Sequence, residues 1–154
     1  MGTTDLPEIE LYTESRAQAE VIPLSWMQDR VEEALPLCLQ NSGSGERLLA
    51  EFRAIEVTFV SDDTIARIHG EFMQDPTPTD VITFHHGEIL TSVETAQREA
   101  ESHGHTPAEE LLLYVIHGLL HLNGHRDLVE AERQTMHRVQ EEILRRVISR
   151  EPDS

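Results

Sequence analysis

Four stretches of the chain have the spacing of apolar residues that is typical of β-strands. Residues 8–13 (EIELYT) alternate apolar and polar side chains and predict a first strand. Residues 53–61 (RAIEVTFVS) are rich in β-branched residues and predict a second. Residues 81–86 (VITFHH) and 87–92 (GEILTS) predict two more. The pattern therefore predicts a small sheet of about four strands.

Helical spacing and capping residues occupy the segments between these strands. Ser25 and Gln28 fit a capping box and predict a helix through residue 40, which Pro36 should kink or interrupt. Shorter helices are predicted over residues 62–72 and over 93–104, where Gly104 stands near the end.

Two further helices are predicted in the last third of the chain. Pro107 opens a helix that runs to about Asn123, and Gly124 is its natural C-terminal stop. The last helix presents one apolar, core-facing stripe, made of Met136, Val139, Ile143 and Val147.

The order of these elements predicts the fold class. Strands and helices are mixed along the 154 residues, with no internal repeat or strong linker. We therefore expect one α+β domain over residues 1–154, with a small mixed β-sheet of about four strands packed with helices. The nearly wholly apolar helix after Pro107 should be buried at its centre.

The cysteine content and the hydrophobic pattern indicate in which compartment the protein functions and whether it binds a membrane. The only cysteine, Cys38, lies among apolar residues and is expected to be a buried thiol, so no internal disulfide is possible. The acidic N-terminus lacks the pattern of a targeting signal, and no apolar run has the length of a membrane span. These features predict a cytoplasmic protein without a membrane partner.

Charge limits how the chain can bind nucleic acid. Twelve Lys and Arg stand against 29 Asp and Glu, which gives a formal net charge of −17. Non-specific binding to phosphate backbones depends on basic residues that release counterions. Any nucleic-acid function must therefore rest on a specific site and not on bulk charge.

The buried helix carries the most informative polar residues. His117 and His121 are four residues apart, so their imidazoles lie on one face of the helix. A polar group buried without a partner costs about 1–3 kcal/mol. A metal ion would satisfy both rings, and the alternative is two core histidines bonded to carbonyls or carboxylates. The metal site is thus predicted on the buried central helix.

Residues around the two histidines refine the prediction. Gly118 costs about 1 kcal/mol in a helix interior and suggests a close approach by a strand or a substrate. After Gly124, either Asp127 or His125 could supply a third ligand. Three protein ligands plus water is the catalytic arrangement of zinc. The HExxH signature of metalloproteases is absent, since Gly118 occupies the position of its glutamate.

At these residues the sequence resembles the YbeY family of single-domain, metal-dependent bacterial endoribonucleases. The segment HGLLHLNGHRD (117–127) matches the family's histidine motif, PTDVITF (78–84) resembles its TDV strand, and GEILTSVETAQREA (87–100) resembles the segment that follows. The trailing EEIL after Met136 matches the closing helix, so the likeness covers about residues 50–145.

The resemblance implies a function and a ligand set. It implies a single-strand-specific, zinc-dependent endoribonuclease that acts in maturation of the 16S ribosomal RNA 3′ end and in ribosome biogenesis. The partners implied are single-stranded RNA and the ribosome or a ribosomal protein. One Zn²⁺ per chain would be held by His117, His121 and Asp127, where Asp127 aligns with the family's third histidine. His125 remains the rival third ligand, and no catalytic acid or base is assigned.

A second departure from the family concerns an arginine that usually precedes the TDV strand. Met73 stands in its place, which removes a natural phosphate clamp. This loss and the acidity keep a second hypothesis open, a non-catalytic ribosome-assembly factor with a closed four-ligand site that includes His125. A third hypothesis is a non-haem iron oxygenase, because two histidines and a carboxylate also form its ligand triad.

Other polar residues are expected to be structural. Asp80 is interpreted as a turn or strand-end residue. Side chains alternate along a strand, so one of His85 and His86 should face a cleft and the other the opposite side. His103 and His105 lie in a polar segment and are expected to be solvated.

Overall fold

Parallel and antiparallel strand pairs combine in one mixed sheet. The computed structural model describes residues 6–73 and 79–149, and within these ranges it contains β1 (Glu8–Thr13), β2 (Ala54–Val60), β3 (Val81–Phe84) and β4 (Glu88–Ser92). The order across the sheet is β1-β2-β4-β3. β2 is parallel to both β1 and β4, whereas β3 runs antiparallel to β4. All four predicted strands are therefore confirmed.

The hairpin between β3 and β4 is tighter than the sequence pattern indicates. β3 ends at Phe84, and the amide of Gly87 donates to the Phe84 carbonyl at 3.0 Å. Gly87 has a φ of 99°, a conformation that glycine adopts without the cost of a side chain. His85, His86 and Gly87 thus form the turn, and the two strands are shorter than predicted.

Six α-helices pack around the sheet within the described residues. They are α1 (Arg16–Val21), α2 (Leu24–Leu39), α3 (Asp62–Met73), α4 (Val93–His103), α5 (Pro107–Leu122) and α6 (Glu130–Ile148). The bounds predicted for α3, α4 and α5 are confirmed within a residue or two. The last helix was predicted only by its apolar stripe, which lies within α6, and α1 was not predicted. Together with the sheet, these helices form the predicted small α+β domain.

The predicted start of α2 is wrong, and Pro36 does not interrupt the helix. The helix begins at Leu24, because the amide of Met27 already donates to the carbonyl of Pro23. The Gln28 side chain donates instead to the carbonyl of Ile9 at 2.8 Å and so ties α2 to β1. Pro36 lies inside the helix without ending it, since the amide of Gln40 still bonds to its carbonyl.

The buried central helix is α5, as predicted. It contacts α2, α4 and α6 as well as β3 and β4, so it is covered on nearly every side. Gly118 provides room for the sheet, because a Cβ at this position would lie 2.8 Å from Ile89 Cδ1 and 3.0 Å from Thr83 Oγ1. The close approach that Gly118 indicated is therefore made by strands β3 and β4. No helix in the described ranges is both long and apolar enough to span a bilayer.

The C-terminal end of α5 is fixed by the loop that follows α2. Gly124 has a φ of 95°, and its carbonyl accepts a hydrogen bond from the amide of Gly45 at 2.8 Å. The buried amide of Asn123 donates to the carbonyls of Cys38 and Asn41 at 2.9 and 3.1 Å. These contacts reverse the chain sharply and return residues 125–127 toward the histidine face of the helix.

Candidate metal centre

His117 and His121 converge on one point from successive turns of α5. Their Nε2 atoms lie 3.1 Å apart, and the two rings are nearly perpendicular at 87°. Both side chains are partly buried, because α6 and the sheet flank this face of the helix. The four-residue spacing therefore brings together two ring nitrogens that face each other.

The opposite ring nitrogens are held by oxygen atoms. Nδ1 of His121 lies 3.0 Å from the carbonyl oxygen of His125, which can only accept, so this nitrogen carries the proton. Nδ1 of His117 lies 2.8 Å from Oε1 of Gln140, and it donates to that oxygen in the same way. Each Nε2 then presents a lone pair to the other, an arrangement that a cation between them would stabilise.

Burial keeps His121 in the form that binds metals. Desolvation and the neighbouring His117 both lower the pKa of His121 and outweigh the opposing effects of the His125 carbonyl and the Asp127 carboxylate. The ring is consequently neutral near pH 7, as an imidazole ligand must be.

Asp127 supplies a carboxylate at the open side of this pair. Its Oδ2 lies 3.6 Å from Nε2 of His121, and its side chain is 45% exposed. The guanidinium of Arg133 donates to the backbone carbonyl of Asp127 at 3.2 Å and helps to fix this turn. One ligand atom from each of His117, His121 and Asp127 lies within 4.8 Å of the others. Two imidazole nitrogens and one carboxylate oxygen suit zinc, so the residues fit the metal.

His125 faces away from this cluster. Its side chain is buried, and its Nε2 lies 3.1 Å from the carbonyl oxygen of Asn41, to which it donates. Burial lowers the pKa of His125, which favours the neutral ring. Through its carbonyl oxygen His125 instead positions the ring of His121.

The cluster lies where several cavities meet. His117 and Asp127 line a cavity of about 500 Å³ against α6. His121 and Asp127 line a second one of about 470 Å³, whose other wall includes His69, Thr83 and His85. A ligand can therefore approach the three side chains from both sides, along a cleft that passes the cluster.

Sequence reasoning did not identify two of the residues that position the cluster. Gln140 and Arg133 lie on α6, opposite the histidines, and both line the cavity of His117. In the sequence, Gln140 is recognisable only as a polar residue that follows the apolar Val139, and this does not indicate a contact with His117. Which polar side chain of α6 meets His117 depends on the packing of the two helices.

Predictions for the minor residues have mixed outcomes. His85 lines the cleft with His121, whereas His86 stacks on Phe84 and bonds to Glu88, so their opposed orientation is confirmed. Asp80 precedes β3, and its carbonyl accepts from the amide of Ser92, which agrees with a strand-end role. Met73 ends α3, but its side chain lies outside the described residues, as does Pro78 of the TDV segment.

The expectation that His103 and His105 are solvated holds for the His103 side chain, which is 49% exposed, but is wrong for His105. Both rings bond to the carboxylate of Glu110, each at 2.8 Å, and the His105 side chain is only 14% exposed. The polar residues around them indicated a loop, but the αL turn at Gly104 folds both rings onto the first turn of α5.

Sequence comparisons with known proteins agree on one family. The sequence profile described as Endoribonuclease YbeY matches residues 13–148. A protein named Endoribonuclease YbeY from Heliobacterium modesticaldum is 32% identical over 153 residues, covering 94% of this chain and 89% of its own length. Its namesake from Bacillus licheniformis is 31% identical over 138 residues, covering 77% of this chain and 86% of its own. A solution structure of a Thermotoga maritima protein has the same fold, with a TM-score of 0.62 at 24% identity over 92% of this chain and 89% of that one.

Proposed function

We propose a function that starts from one premise: the chain belongs to the YbeY family of endoribonucleases. It is accordingly a hydrolytic nuclease with RNA as its substrate. Our proposal is that it cleaves single-stranded RNA at a zinc centre held by His117, His121 and Asp127. We further propose that this activity serves maturation of the 16S ribosomal RNA 3′ end in the cytoplasm, on the ribosome or with a ribosomal protein.

The observation that carries the proposal is the convergence of two imidazole lone pairs beside a carboxylate. The Nε2 atoms of His117 and His121 are 3.1 Å apart, and Asp127 Oδ2 is 3.6 Å from the second of them. When bound there, zinc supplies a Lewis acid that lowers the pKa of water to about 7 and offsets negative charge on phosphate oxygens. The three ligand residues would hold the ion, and Gln140 and the His125 carbonyl orient the two rings and fix the tautomer of each.

The cleft supports a single-stranded substrate in place of a duplex. It is open on both sides of the cluster, with separate cavities of about 500 and 470 Å³. Its arginines are engaged with carboxylates: Arg126 pairs with Glu132, and Arg133 pairs with Glu130. With a net charge of −17, the chain has little free positive charge for a duplex backbone. Because the chain has little positive charge with which to bind RNA, we propose that a ribosomal partner presents the RNA to the cleft.

The contact made by His125 argues against the alternative of a non-catalytic assembly factor with a closed site. A closed zinc site needs a fourth protein ligand, and the His125 ring is turned to the Asn41 carbonyl. The half-exposed Asp127 leaves the cluster open to the cleft instead. An open position is what a catalytic metal requires.

A cleavage assay with matched RNA substrates tests the proposal. The full chain is stripped of metal, reloaded with Zn²⁺ and given a labelled single-stranded RNA, the same RNA as a duplex, and 16S precursor RNA with ribosomal particles. We expect cleavage of single strands that is lost in His117→Ala and His121→Ala and retained in His86→Ala, whose ring stacks on Phe84 and bonds to Glu88. Cleavage that persists in both ligand variants would refute the zinc centre. A reloaded protein that cleaves none of these RNAs would refute the nuclease proposal itself.

A further inference from the structure

Polar side chains form a stripe along the buried helix that extends well beyond the metal centre. Glu110, Tyr114, His117 and His121 follow one another at spacings of four, three and four residues, so they lie on one face of α5. Glu110 is seven residues before His117, which corresponds to about 10 Å along the helix axis. The N-terminal end of this stripe, at Glu110, therefore lies two helical turns away from the proposed zinc centre.

Glu110 gathers two histidines at this end. Nδ1 of His103 lies 2.8 Å from Glu110 Oε2, and Nδ1 of His105 lies 2.8 Å from Glu110 Oε1. The Glu110 side chain is fully buried, whereas the His103 side chain is 49% exposed. One ligand atom from each of the three residues lies within 4.8 Å of the others. A buried carboxylate is thus covered by two imidazoles, of which His103 is half exposed and His105 is largely buried.

The local backbone builds this cluster rigidly. α4 ends at His103, and Gly104 reverses the chain with a φ of 75°. The amide of His105 then donates to the carbonyl of Ala100, and Thr106 caps α5 in a capping box with Glu109. Both imidazoles are therefore placed by the junction of two helices and not by a loose loop.

The carboxylate remains negatively charged despite its burial. Desolvation alone would raise the pKa of Glu110, but hydrogen bonds from His105, His103 and Tyr114 outweigh it and lower the pKa below its ordinary value. One carboxylate with two imidazoles is the same set of ligand types as the His117 cluster offers, although Asp127 is half exposed and Glu110 is buried. In proteins such sets bind zinc and related divalent metals.

We propose that His103, His105 and Glu110 form a second divalent-cation site, separate from the centre at His117. Nitrogen and oxygen ligands bind zinc at about 2.0–2.2 Å, so the ion would replace the two hydrogen bonds that now join the rings to the carboxylate. Each ring would then carry its proton on Nε2. The site is open toward a cavity of about 470 Å³ that His117 also lines. Glu110 and His117 lie about 10 Å apart along the helix axis, so we expect two separate ions and not a bridged pair, whose metals lie about 3.5–4 Å apart.

Zinc titration of the full chain tests this site without reference to activity. Metal-stripped protein is titrated with Zn²⁺ by calorimetry, and the histidine ring nitrogens are followed by NMR. We expect two equivalents in the native chain, with the resonances of the His103 and His105 rings moving during the second. His103→Ala and Glu110→Gln should each leave one equivalent. His86→Ala is the matched control, since His86 also pairs with a glutamate, Glu88, at 2.9 Å, but belongs to no three-ligand cluster among the described residues.

The outcomes separate this proposal from the proposed function. A double variant of His117→Ala and His121→Ala should keep the second equivalent, so loss of the first site does not remove the second. If the native chain binds a single zinc and the His103 and His105 resonances stay in place, the three residues are a hydrogen-bonded structural cluster and the inference is wrong. Should Glu110→Gln unfold, the half-exposed His103→Ala variant decides the question alone.

Discussion

Gln140 on α6 accepts a hydrogen bond from Nδ1 of His117 on α5 at 2.8 Å. This contact joins residues 23 positions apart in the chain and fixes which ring nitrogen faces His121. A second oxygen, the carbonyl of His125, does the same for His121 at 3.0 Å. The two rings are therefore oriented before any ion arrives, by one helix on one side and by the loop after α5 on the other.

Gln140→Ala should weaken zinc binding without removing a ligand. Loss of the acceptor frees the His117 ring to rotate or change tautomer, and such changes typically cost 10- to 100-fold in metal affinity. Competition with a chelator measures the effect. The control is Gln134→Ala, which lines the same cavity on the same helix but bonds to Glu130 and not to a histidine ring. Equal losses in the two variants would contradict a positioning role for Gln140.

Asp127 and His125 should give opposite results when each is replaced by alanine. Asp127→Ala should weaken zinc binding with little change in the free energy of unfolding, because its side chain is 45% exposed. His125→Ala should lower the free energy of unfolding by about 1–3 kcal/mol, through loss of a buried hydrogen bond, and affect zinc less. Asp127→His should keep or tighten zinc binding. The reverse ranking in chelator competition would transfer the ligand role to His125.

The sequence predicted the sheet and the buried helix because both depend on local patterns. The four strands and α5 follow from apolar spacing, Pro107 and Gly124, and the structure places them there. The pairing of His117 with His121 also follows from helical geometry alone. The position of Asp127 beside the two histidines was predicted only from the family resemblance. Local patterns do not indicate it, because the turn at Gly124 is set by long-range hydrogen bonds with Gly45 and Asn41.

Features that depend on how separate helices and strands pack against each other were missed or wrong. The Glu110 cluster requires α4 and α5 to meet at Gly104, and nothing in the local polarity of His103 or His105 indicates a buried carboxylate between them. The start of α2 was placed wrongly at Ser25, because Gln28 bonds to β1 and not to the helix end. In each case a tertiary contact, and not the local sequence, determines the hydrogen-bond partner of the side chain.

Gly118→Ala should destabilise the fold even though alanine favours helices. The new Cβ would lie 2.8 Å from Ile89 Cδ1 and 3.0 Å from Thr83 Oγ1. Overpacking of this kind costs about 1–3 kcal/mol, against a gain of about 1 kcal/mol in helix propensity. Ile89→Val removes the nearer atom, so the double variant should lose less stability than the sum of the two single variants. Chemical denaturation measures all three, and strict additivity would show that the two side chains do not meet.

Asp62 should make stability depend on acid pH. Burial raises the pKa of this residue, but hydrogen bonds from Ser92, Arg98 and Thr95 outweigh it and bring the pKa below the ordinary value of 3.8. The charged form therefore stabilises the fold above that value, and the contribution is lost as the pH falls through the lower pKa of the folded state.

Asp62→Asn should consequently reduce the free energy of unfolding by about 1–2 kcal/mol at pH 7 and by progressively less below pH 4. Denaturation of both proteins across this range checks the sign. Asp63→Asn is the control, since Asp63 is adjacent on α3 and takes no part in this network within the described residues. A difference between Asp62→Asn and the native chain that grows toward low pH would contradict the assignment.

Met73→Arg should strengthen RNA binding if position 73 faces the cleft. His69 lines the cavity beside His121, and position 73 follows it by four residues in α3, on the same face of the helix. A guanidinium there could contact phosphate in two places, and contacts with charged groups contribute about 1.5–3 kcal/mol, or roughly ten- to a hundredfold in affinity. The gain should shrink as salt is added, because part of it comes from neutralising phosphate.

Met73→Leu is the control for shape without charge, and thermal melting of both variants precedes the RNA titration. If Met73→Arg melts far below Met73→Leu and binds RNA no better than the native chain, position 73 packs inside the fold, and the family's arginine has no counterpart at this place.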